Sequence, residues 1–388
     1  MIGDIAIAFL LAITTTFVLV PYSIRFAKKV GAIDVPNDRR VNKKPIPRLG
    51  GIAVIGGFLV STIFLMITTS VEGKIDFVSD NMHIKLIGFL VGLTILGIIC
   101  LIDDIKGLKA VVKLVGQLIA AIIVVRCGII IDSFKLFGDN MVANEIFNNI
   151  VTIVWIVTIT NAINLIDGLD GLSSGICLIA CVSLIIVFAM NESSPMISIL
   201  LATALAGSIT GFLPYNVHPA KTFIGDVGSN FMGFAIGVIS IIGVAKTYTA
   251  IVIIAPIIIL GLPILDTVWA VIRRAIKTKS IKGIFKADKG HIHHRLMQKG
   301  FTQKQSVLIL YIIAVTFGMV AIILLDSGLG KAIAFIAVLV VMVFIWSIEK
   351  KRQKKEKRRK QEKRKKELAK GNVKAEKKEV SKNIRRNV

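Results

Sequence analysis

The sequence has few charged residues and few cysteines for its length. Only 19% of its 388 residues are Asp, Glu, Lys or Arg, whereas 54% are hydrophobic. This balance excludes an intrinsically disordered chain and is unusual for a soluble globular protein. The four cysteines, Cys100, Cys127, Cys177 and Cys181, lie in or beside apolar runs. Cys177 and Cys181 share a helical face, but no His or carboxylate joins them, so we interpret all four as small apolar residues.

The C-terminal segment 349–388 lacks apolar periodicity and aromatic side chains. It holds 20 Lys or Arg and 6 Asp or Glu, which is +14 of the chain's net charge of +24. Without aromatic residues to stack on bases, we expect no binding of nucleic acid. We predict a disordered basic tail that attracts anionic membrane lipid by about 1 kcal/mol per basic residue near the surface. This tail follows a single membrane domain over residues 1–348.

Long apolar runs without charge recur through the rest of the chain. Runs of about 18 to 22 such residues are long enough to cross a bilayer core of about 30 Å as helices. The first run lacks a basic leader and a small-residue cleavage site, so we expect a retained span rather than a signal peptide. The predicted fold class is all-α, a polytopic integral membrane protein with about eleven transmembrane helices. These runs lie at about 3–24, 49–70, 84–102, 111–131, 147–164, 172–190, 195–213, 229–245, 248–270, 305–325 and 330–347.

Basic residues are concentrated in the odd-numbered loops and in the tail. The first loop carries eight Lys or Arg between Arg25 and Arg48, and the ninth carries eight between Arg273 and Arg295. By the positive-inside rule, the N-terminus is outside and the C-terminus is cytoplasmic. An anion transporter is the alternative of another class, but it would place ionisable residues near the bilayer midplane, in inverted repeats. The chain lacks such repeats, and among its polar clusters only Asp266, in the ninth span, lies away from a cytoplasmic span end.

Two adjacent carboxylates, Asp103 and Asp104, end the third span, and Lys113 begins the next. Carboxylates beside lipid are costly unless cations accompany them. The pair is therefore either a hydrated helix cap or a metal-binding or proton-transfer pair. Lys113 is placed where its ammonium can face a lipid head group.

A second polar cluster lies in the string NAINLIDGLDGLSSG. Asn161, Asn164 and Asp167 are spaced by three residues and so are predicted to share one helical face. Asp170 continues the series beyond a glycine that ends the helix. Amide and carboxylate oxygens suit a hard cation such as Mg²⁺. An Asn/Asp-rich cap and turn is the structural alternative.

The string GDVGS places Asp226 between glycines, directly before an apolar run. This pattern predicts a strained turn that opens a helix. Such a helix N-terminus favours phosphate, because its backbone N–H groups are unpaired. The string alone is weak evidence, and it gains weight from the other acidic clusters on the same predicted face.

Three of the five histidines, His291, His293 and His294, lie in the basic ninth loop. A zinc site is one alternative, but no cysteine is near enough to complete it. Histidines among basic residues also bind phosphate, as cations or as hydrogen-bond donors. We favour phosphate binding over zinc.

In this order, the motifs resemble those of the polyprenyl-phosphate N-acetylhexosamine-1-phosphate transferases, glycosyltransferase family 4. The matching strings are DD at 103–104, NxxNxxDGxDGL at 161–172, GDxGS at 225–229 and HIHH at 291–294. The resemblance implies transfer of N-acetylglucosamine-1-phosphate from UDP-N-acetylglucosamine to undecaprenyl phosphate. The products would be undecaprenyl-diphospho-N-acetylglucosamine and UMP, in the first membrane step of a cell-envelope glycopolymer.

The resemblance also implies roles for individual residues. It implies Mg²⁺ as the cofactor, with Mn²⁺ as an alternative, and Asp226 and Asn164 as metal ligands. Catalytic carboxylates would be Asp103, Asp104 and Asp167. Phe223 is suited to stack on uracil, beside Asn216, and Lys113 to contact phosphate. The residues that would bind substrate are Lys113, Asn164, Asp170, Asn216, Phe223, His291, His293, His294 and Arg48.

The histidine string favours one branch of this family. The string HIHHRL, preceded by KADKG, is more similar to the initiators of teichoic acid and O-antigen than to the IHHHF string of the peptidoglycan enzymes. We therefore predict UDP-N-acetylglucosamine as the donor, with phospho-N-acetylmuramoyl-pentapeptide transferase as the alternative. The resemblance further implies a bacterial plasma-membrane location with the active site facing the cytoplasm. A homodimer and a monomer are both left open.

Overall fold

The computed structural model describes residues 2–36, 44–73, 81–131, 145–244, 250–278 and 290–341. The basic tail predicted over 349–388 lies outside these residues. Two-residue strands β1 (Ile33–Asp34) and β2 (Ile46–Pro47), which were not predicted, pair antiparallel. The helices are α1 Ile2–Val30, α2 Gly50–Val71, α3 Met82–Lys106, α4 Ala110–Arg126, α5 Glu145–Ile166, α6 Leu172–Met190, α7 Met196–Asn216, α8 Gly225–Val244, α9 Ala250–Ile259, α10 Gly261–Thr278, α11 Ile292–Gln298 and α12 Gln303–Val341.

The chain divides into two compact units, Met1–Gly328 and Leu329–Val388. The first unit contains every residue predicted to belong to the functional site. In the second unit, the described residues 329–341 are helical.

Among the described residues, eight helices are long and apolar enough to span a membrane. This confirms an all-α polytopic membrane protein, whereas the predicted count of eleven is not confirmed. Helix α4 has only 17 residues. The run at 248–270 is divided between α9 and α10. The break lies between Pro256 and Pro263, and neither proline can donate a backbone hydrogen bond. The loop predicted at 326–330 falls inside α12, where Gly328 has a φ of +78°.

Helices α7 and α8 form the core of the first unit. Of their most apolar stretches, 83% and 94% of the residues are buried, compared with 22% in α1. Helix α7 packs against α1, α2 and α6, while α8 packs against α3 and α5. Close approach to α5 depends on Gly233, where a Cβ atom would lie 2.7 Å from the Cα of Thr160. Helix α8 therefore contacts neighbouring helices on several sides.

The strained turn predicted before Asp226 is present. Helix α8 begins at Gly225, whose φ is +73°. A Cβ atom there would overlap the carbonyl oxygen of Arg48 and crowd the carboxylate of Asp104. Glycine is thus required at this position both by its conformation and by the lack of space.

The helix break predicted around residues 167–171 is also present, because α5 ends at Ile166 and α6 begins at Leu172. The prediction of a shared helical face is wrong for Asp167, whereas Asp170 lies beyond the end of the helix, as predicted. Both lie in the turn between the helices, since the backbone leaves the helical path directly after Ile166. Asn161 and Asn164 remain on α5.

Candidate active site

The ends of three helices, α3, α4 and α5, meet beside the N-terminus of α8. The last turn of α3 carries Asp103, the first turn of α4 carries Lys113, the last turn of α5 carries Asn164, and the first turn of α8 carries Asp226. We call these four residues the carboxylate–lysine cluster. All four were predicted as site residues from three separate stretches of the sequence, and the structure brings them together.

The ammonium of Lys113 lies between two carboxylates. Its Nζ is 2.9 Å from Oδ2 of Asp103 and 3.0 Å from Oδ2 of Asp226. The side chain of Asp103 is 6% exposed, whereas that of Asp226 is 30% exposed. One cation between two carboxylates leaves a net negative charge, and Asp226 is the carboxylate that solvent or a ligand can reach. The cluster can therefore attract a further cation at Asp226, and Lys113 supplies a positive charge for a phosphate.

Asn164 completes the cluster from the α5 side. Its amide Nδ2 donates to Oδ1 of Asp226 at 2.7 Å and to Oγ of Ser229 at 2.9 Å. The Ser229 hydroxyl in turn donates to the carbonyl of Gly225 at 2.9 Å. Both carboxylate oxygens of Asp226 thus have a partner on another helix, which fixes the orientation of the carboxylate.

Asp104 is separated from Asp103 and occupies a different position. Its two oxygens accept hydrogen bonds from the backbone N–H groups of Asp226, at 3.1 Å, and Val227, at 2.9 Å. These N–H groups are among those that a helix N-terminus leaves unpaired, so Asp104 caps α8 from α3. The structure therefore places the predicted catalytic pair in two environments: Asp103 contacts Lys113, and Asp104 joins two helices.

Arg48 reinforces the same junction. Its guanidinium donates through Nε to the carbonyl oxygen of Asp104 at 3.0 Å, and Nε lies 3.6 Å from the Asp104 carboxylate. A cation at the C-terminus of α3 complements the partial negative charge of that helix end. Arg48, which was predicted to bind substrate, thus contacts the end of α3, beside the cluster.

Asp167 lies in the turn after α5 and accepts a hydrogen bond from the hydroxyl of Ser173 at 2.6 Å. Burial, together with the negative charges of Asp226 and Asp170, raises the pKa of the Asp167 carboxyl to about 7, against the lowering effect of the Ser173 hydrogen bond. A carboxyl group that titrates near neutral pH is suited to donate and accept protons. The catalytic role of Asp167 stays a prediction.

Asp170 does not join the carboxylate–lysine cluster. Its Oδ2 lies 2.7 Å from Nδ1 of His218 and accepts a hydrogen bond from the N–H of Ala220 at 3.2 Å. Both partners belong to the loop that follows α7. Asp170 therefore fastens the α5–α6 turn to this loop.

Asn216 and Phe223, the predicted nucleoside-pocket residues, lie at the two ends of the loop between α7 and α8. Asn216 is buried, its Oδ1 accepts from the Ser174 hydroxyl at 2.9 Å, and its Nδ2 donates to the carbonyl of Thr222 at 3.1 Å. Its amide therefore shapes the loop from within. Phe223 is half-buried, and its backbone N–H donates to the carbonyl of Pro47 at 2.8 Å.

The histidine string opens the short helix α11. His291 Nδ1 lies 2.7 Å from Oδ2 of Asp266, and the other Asp266 oxygen accepts the N–H of Ile292 at 2.9 Å. Asp266 and His291 are both buried. Asp266, the carboxylate in the predicted ninth span, thus orients the first histidine and caps α11. Arg274 lies 3.4 Å from the remaining nitrogen of His291.

His293 packs against the turn that carries Asp167. It is 2% exposed, and a Cβ atom at Gly168 would overlap its Nε2. Within the part of the chain that the structure describes, neither ring nitrogen of His293 has a hydrogen-bond partner. Burial, together with the neighbouring rings of His294 and His291, lowers the pKa of His293 to about 3, against the raising effect of Asp266. His293 is therefore neutral at pH 7, so of the two predicted modes of phosphate binding only the hydrogen-bonding one remains for it.

Several residues beside the predicted ones contribute to the site and were not singled out. Gln117 lies one turn after Lys113 on α4, and Asn230 lies one turn after Asp226 on α8. The two side-chain amides hydrogen-bond to each other beside the cluster. A polar amide inside an apolar run is a signal that could have identified both. The Tyr311 hydroxyl donates to the carbonyl of Gly171 and so supports the α5–α6 turn. Nothing in the local sequence around Tyr311 indicates this contact.

The donors in the cluster fit a hard divalent cation by their chemistry. Asp103 and Asp226 supply carboxylate oxygens, and Asn164 supplies an amide whose oxygen would have to turn toward the ion. The described residues contain no group of three His, Cys, Asp or Glu arranged to hold a metal. Mg²⁺ is typically held by one or two carboxylates, with water and substrate phosphate completing its coordination. The cluster fits that pattern, and Asp226 would be the accessible ligand.

A membrane helix bundle with carboxylates and a lysine gathered at its helix ends is suited to an enzyme that handles phosphate. The profile of Glycosyl transferase family 4 matches residues 86–244. A Bacillus subtilis (strain 168) protein, "Probable undecaprenyl-phosphate N-acetylglucosaminyl 1-phosphate transferase", is 37% identical over 88% of this chain and 90% of that protein. The chain belongs to glycosyl transferase family 4, as the motifs predicted, and is a membrane transferase.

Two further relatives cover most of the chain. "Decaprenyl-phosphate N-acetylglucosaminephosphotransferase" of Mycolicibacterium smegmatis is 28% identical over 88% of this chain and 87% of its own length. "Phospho-N-acetylmuramoyl-pentapeptide-transferase" of Orientia tsutsugamushi is 28% identical over 81% of this chain and 91% of its own length. The relatives therefore include proteins named for either of the two sugars considered from the sequence.

Proposed function

We propose that this protein transfers N-acetylglucosamine-1-phosphate from UDP-N-acetylglucosamine to undecaprenyl phosphate. In this reaction an oxygen of the lipid phosphate attacks the β-phosphorus of the nucleotide sugar. A new P–O bond forms, the bond between the β-phosphorus and the bridging oxygen breaks, and UMP leaves with that oxygen. The products are undecaprenyl-diphospho-N-acetylglucosamine and UMP.

The observation that carries this proposal is the position of Lys113 between Asp103 and Asp226 at the end of a membrane helix bundle. Transfer between two phosphates requires the positioning of two anions that repel each other. A lysine ammonium binds phosphate oxygens, and an accessible carboxylate can hold a divalent cation. An acceptor that is a lipid phosphate explains why these groups lie at the ends of membrane helices.

The described residues support a division of roles. Lys113 binds and orients phosphate, while Asp226 and Asn164 would hold Mg²⁺ or Mn²⁺. When bound, the metal would neutralise charge on the diphosphate. Asp167, which titrates near neutral pH, is suited to hold or release a proton of the acceptor phosphate. His291, oriented by Asp266, and the neutral His293 would hydrogen-bond the phosphate and sugar end of the donor.

The choice of N-acetylglucosamine rests on the string HIHHRL and on the names of the relatives from Bacillus subtilis and Mycolicibacterium smegmatis. The second candidate is transfer of phospho-N-acetylmuramoyl-pentapeptide, which is favoured by the name of the Orientia tsutsugamushi relative. A hundredfold preference between the two donors corresponds to only about 2.7 kcal/mol of differential transition-state binding. A few contacts to the donor are sufficient for that.

The orientation follows from the distribution of basic loops, so we propose that the cluster faces the cytoplasm, where nucleotide sugars are made. The transporter alternative finds less support, because the cluster joins helix ends and not helix midpoints. Asp266 does not favour a transporter either, because its carboxylate caps α11 and contacts His291.

The test is a competition assay with purified full-length protein, undecaprenyl phosphate and Mg²⁺. UDP-N-acetylglucosamine and UDP-N-acetylmuramoyl-pentapeptide are supplied at equal concentration, and lipid products are identified by mass while UMP release is followed. We expect the N-acetylglucosamine lipid to dominate. Dominance of the muramoyl-pentapeptide lipid would overturn the sugar assignment and leave the reaction class intact. Absence of UMP with every UDP-sugar would overturn the transferase assignment itself.

A further inference from the structure

Each of three helices that carry a cluster residue also carries a side-chain amide one turn away from it. Gln117 follows Lys113 by four residues on α4, and Asn230 follows Asp226 by four on α8. Asn161 precedes Asn164 by three on α5. We call Gln117, Asn161 and Asn230 the amide cluster.

The three amides hydrogen-bond to one another across the helices. Asn161 Nδ2 donates to Oε1 of Gln117 at 2.6 Å, and Gln117 Nε2 donates to Oδ1 of Asn230 at 2.8 Å. Asn230 Nδ2 then donates to the backbone carbonyl of Asp226 at 2.8 Å. A continuous chain of hydrogen bonds therefore runs from α5 through α4 to the residue that opens the site on α8.

This chain is buried where alternative partners are scarce. Gln117 is 2% exposed and Asn230 is 1% exposed. A buried amide without a partner is costly, so the three helices are held at the separation and rotation that let all the amides pair. Apolar side chains would pack the same space without specifying one register of the helices. The amide cluster therefore specifies the relative positions of the three helices one turn away from the charged groups.

We propose that Gln117, Asn161 and Asn230 are positioning residues that set how far Lys113 and Asn164 lie from Asp226. The proposal deepens the proposed function and rests on it for its kinetic readout. Lys113 is one helical turn from Gln117, so a small rotation of α4 moves its ammonium relative to both carboxylates. A displacement of about 1 Å at a reacting centre can reduce rate by about a hundredfold.

The principal variant is Gln117→Leu, which keeps bulk and removes the central amide. Asn161→Ala is the milder second variant, because Asn161 is only half-buried. Ser240→Ala is the matched control, since the Trp155 indole donates to Ser240 Oγ at 3.0 Å and so joins α5 to α8 far from the site. All three variants lose an interhelical hydrogen bond, but only the first two lose it below the cluster.

The kinetic measurement compares kcat, KM for UDP-N-acetylglucosamine and thermal unfolding for the purified full-length proteins. For Gln117→Leu we expect kcat to fall by about tenfold to hundredfold while KM changes by less than about threefold. In Ser240→Ala the Trp155 indole keeps the Gly237 carbonyl, at 3.3 Å, as an acceptor. This control should therefore lower the unfolding temperature less than Gln117→Leu does and leave kcat unchanged. Equal kcat values in the folded Gln117→Leu and Ser240→Ala proteins would show a merely structural contact and overturn the proposal.

A second measurement does not depend on turnover. Acylation of Lys113 by an amine-reactive ester, followed by mass spectrometry, reports how firmly the two carboxylates hold its ammonium. We expect faster labelling in Gln117→Leu and Asn161→Ala, and wild-type labelling in Ser240→Ala. If this pattern appears although no UDP-sugar yields UMP, the positioning role stands and the proposed function fails. Unchanged labelling in both amide variants, or failure of both to fold, would overturn the positioning role.

Discussion

Asp226 is the residue through which the proposed chemistry is tested most directly. The substitution Asp226→Asn preserves size and removes the negative charge. One of the two carboxylate oxygens becomes an NH₂ group. In the wild-type protein these oxygens lie 3.0 Å from Nζ of Lys113 and 2.7 Å from Nδ2 of Asn164, so the new NH₂ group faces one of these two donors. Either arrangement brings two donors together and removes one carboxylate that would hold a divalent cation.

The expected effects on stability and on turnover differ in size. An unmet donor contact costs about 1–3 kcal/mol, and Lys113 keeps its partner Asp103 at 2.9 Å, so the protein should stay folded. Loss of the metal ligand and of charge in the transition state should cost more. A loss of about 4 kcal/mol in transition-state stabilisation lowers turnover by about a thousandfold. We therefore expect near-abolished UMP release from a folded protein.

The assay measures UMP release against Mg²⁺ and Mn²⁺ concentration, together with thermal unfolding. Asp326→Asn serves as the control, because it makes the same chemical change at an exposed carboxylate that contacts Ser327. This control should retain wild-type turnover. Near-normal turnover of Asp226→Asn, or of the wild-type protein in excess EDTA, would refute the assignment of Asp226 to a divalent-cation site.

Three further predictions concern acid–base chemistry, histidine orientation and the tail. Burial raises the pKa of Asp167 to about 7, so its carboxyl is neutral below that pH and charged above it; kcat should fall as the pH drops from about 8 to about 6. Asp167→Asn should abolish this acid limb, and a limb that persists in the variant would contradict the assignment. Asp266→Asn removes one of the two acceptors used by His291 and the start of α11, and we expect kcat/KM to fall by about tenfold or more. Unchanged kinetics in that variant would show that the orientation of His291 is unimportant. Truncation after Ile348 should preserve turnover in detergent and weaken binding to vesicles of anionic lipid, because the removed segment carries +14. Loss of turnover in a folded truncated protein would count against a dispensable tail.

Much of the candidate site could be predicted from the sequence because its residues break an otherwise apolar pattern. Asp103, Lys113, Asn164 and Asp226 are polar groups at the ends of long hydrophobic runs, and such groups are rarely placed there without a partner. The same contrast predicted the all-α membrane class and the glycine that opens α8. Long-range pairing could not be predicted, because spacing along the chain does not say which helix ends are neighbours.

The sequence by itself therefore determined the membrane class, the motifs and the family, since these depend on local hydropathy and on the order of residues. Only the tertiary structure decided which groups each carboxylate contacts. Asp103 and Asp104 are adjacent in the chain, yet one pairs with Lys113 and the other caps α8, because neighbouring side chains on a helix point about 100° apart. Likewise, only helix packing brings Gln117 to two amides on other helices. Burial and the competition for hydrogen-bond partners decide those contacts, and both are properties of the folded chain.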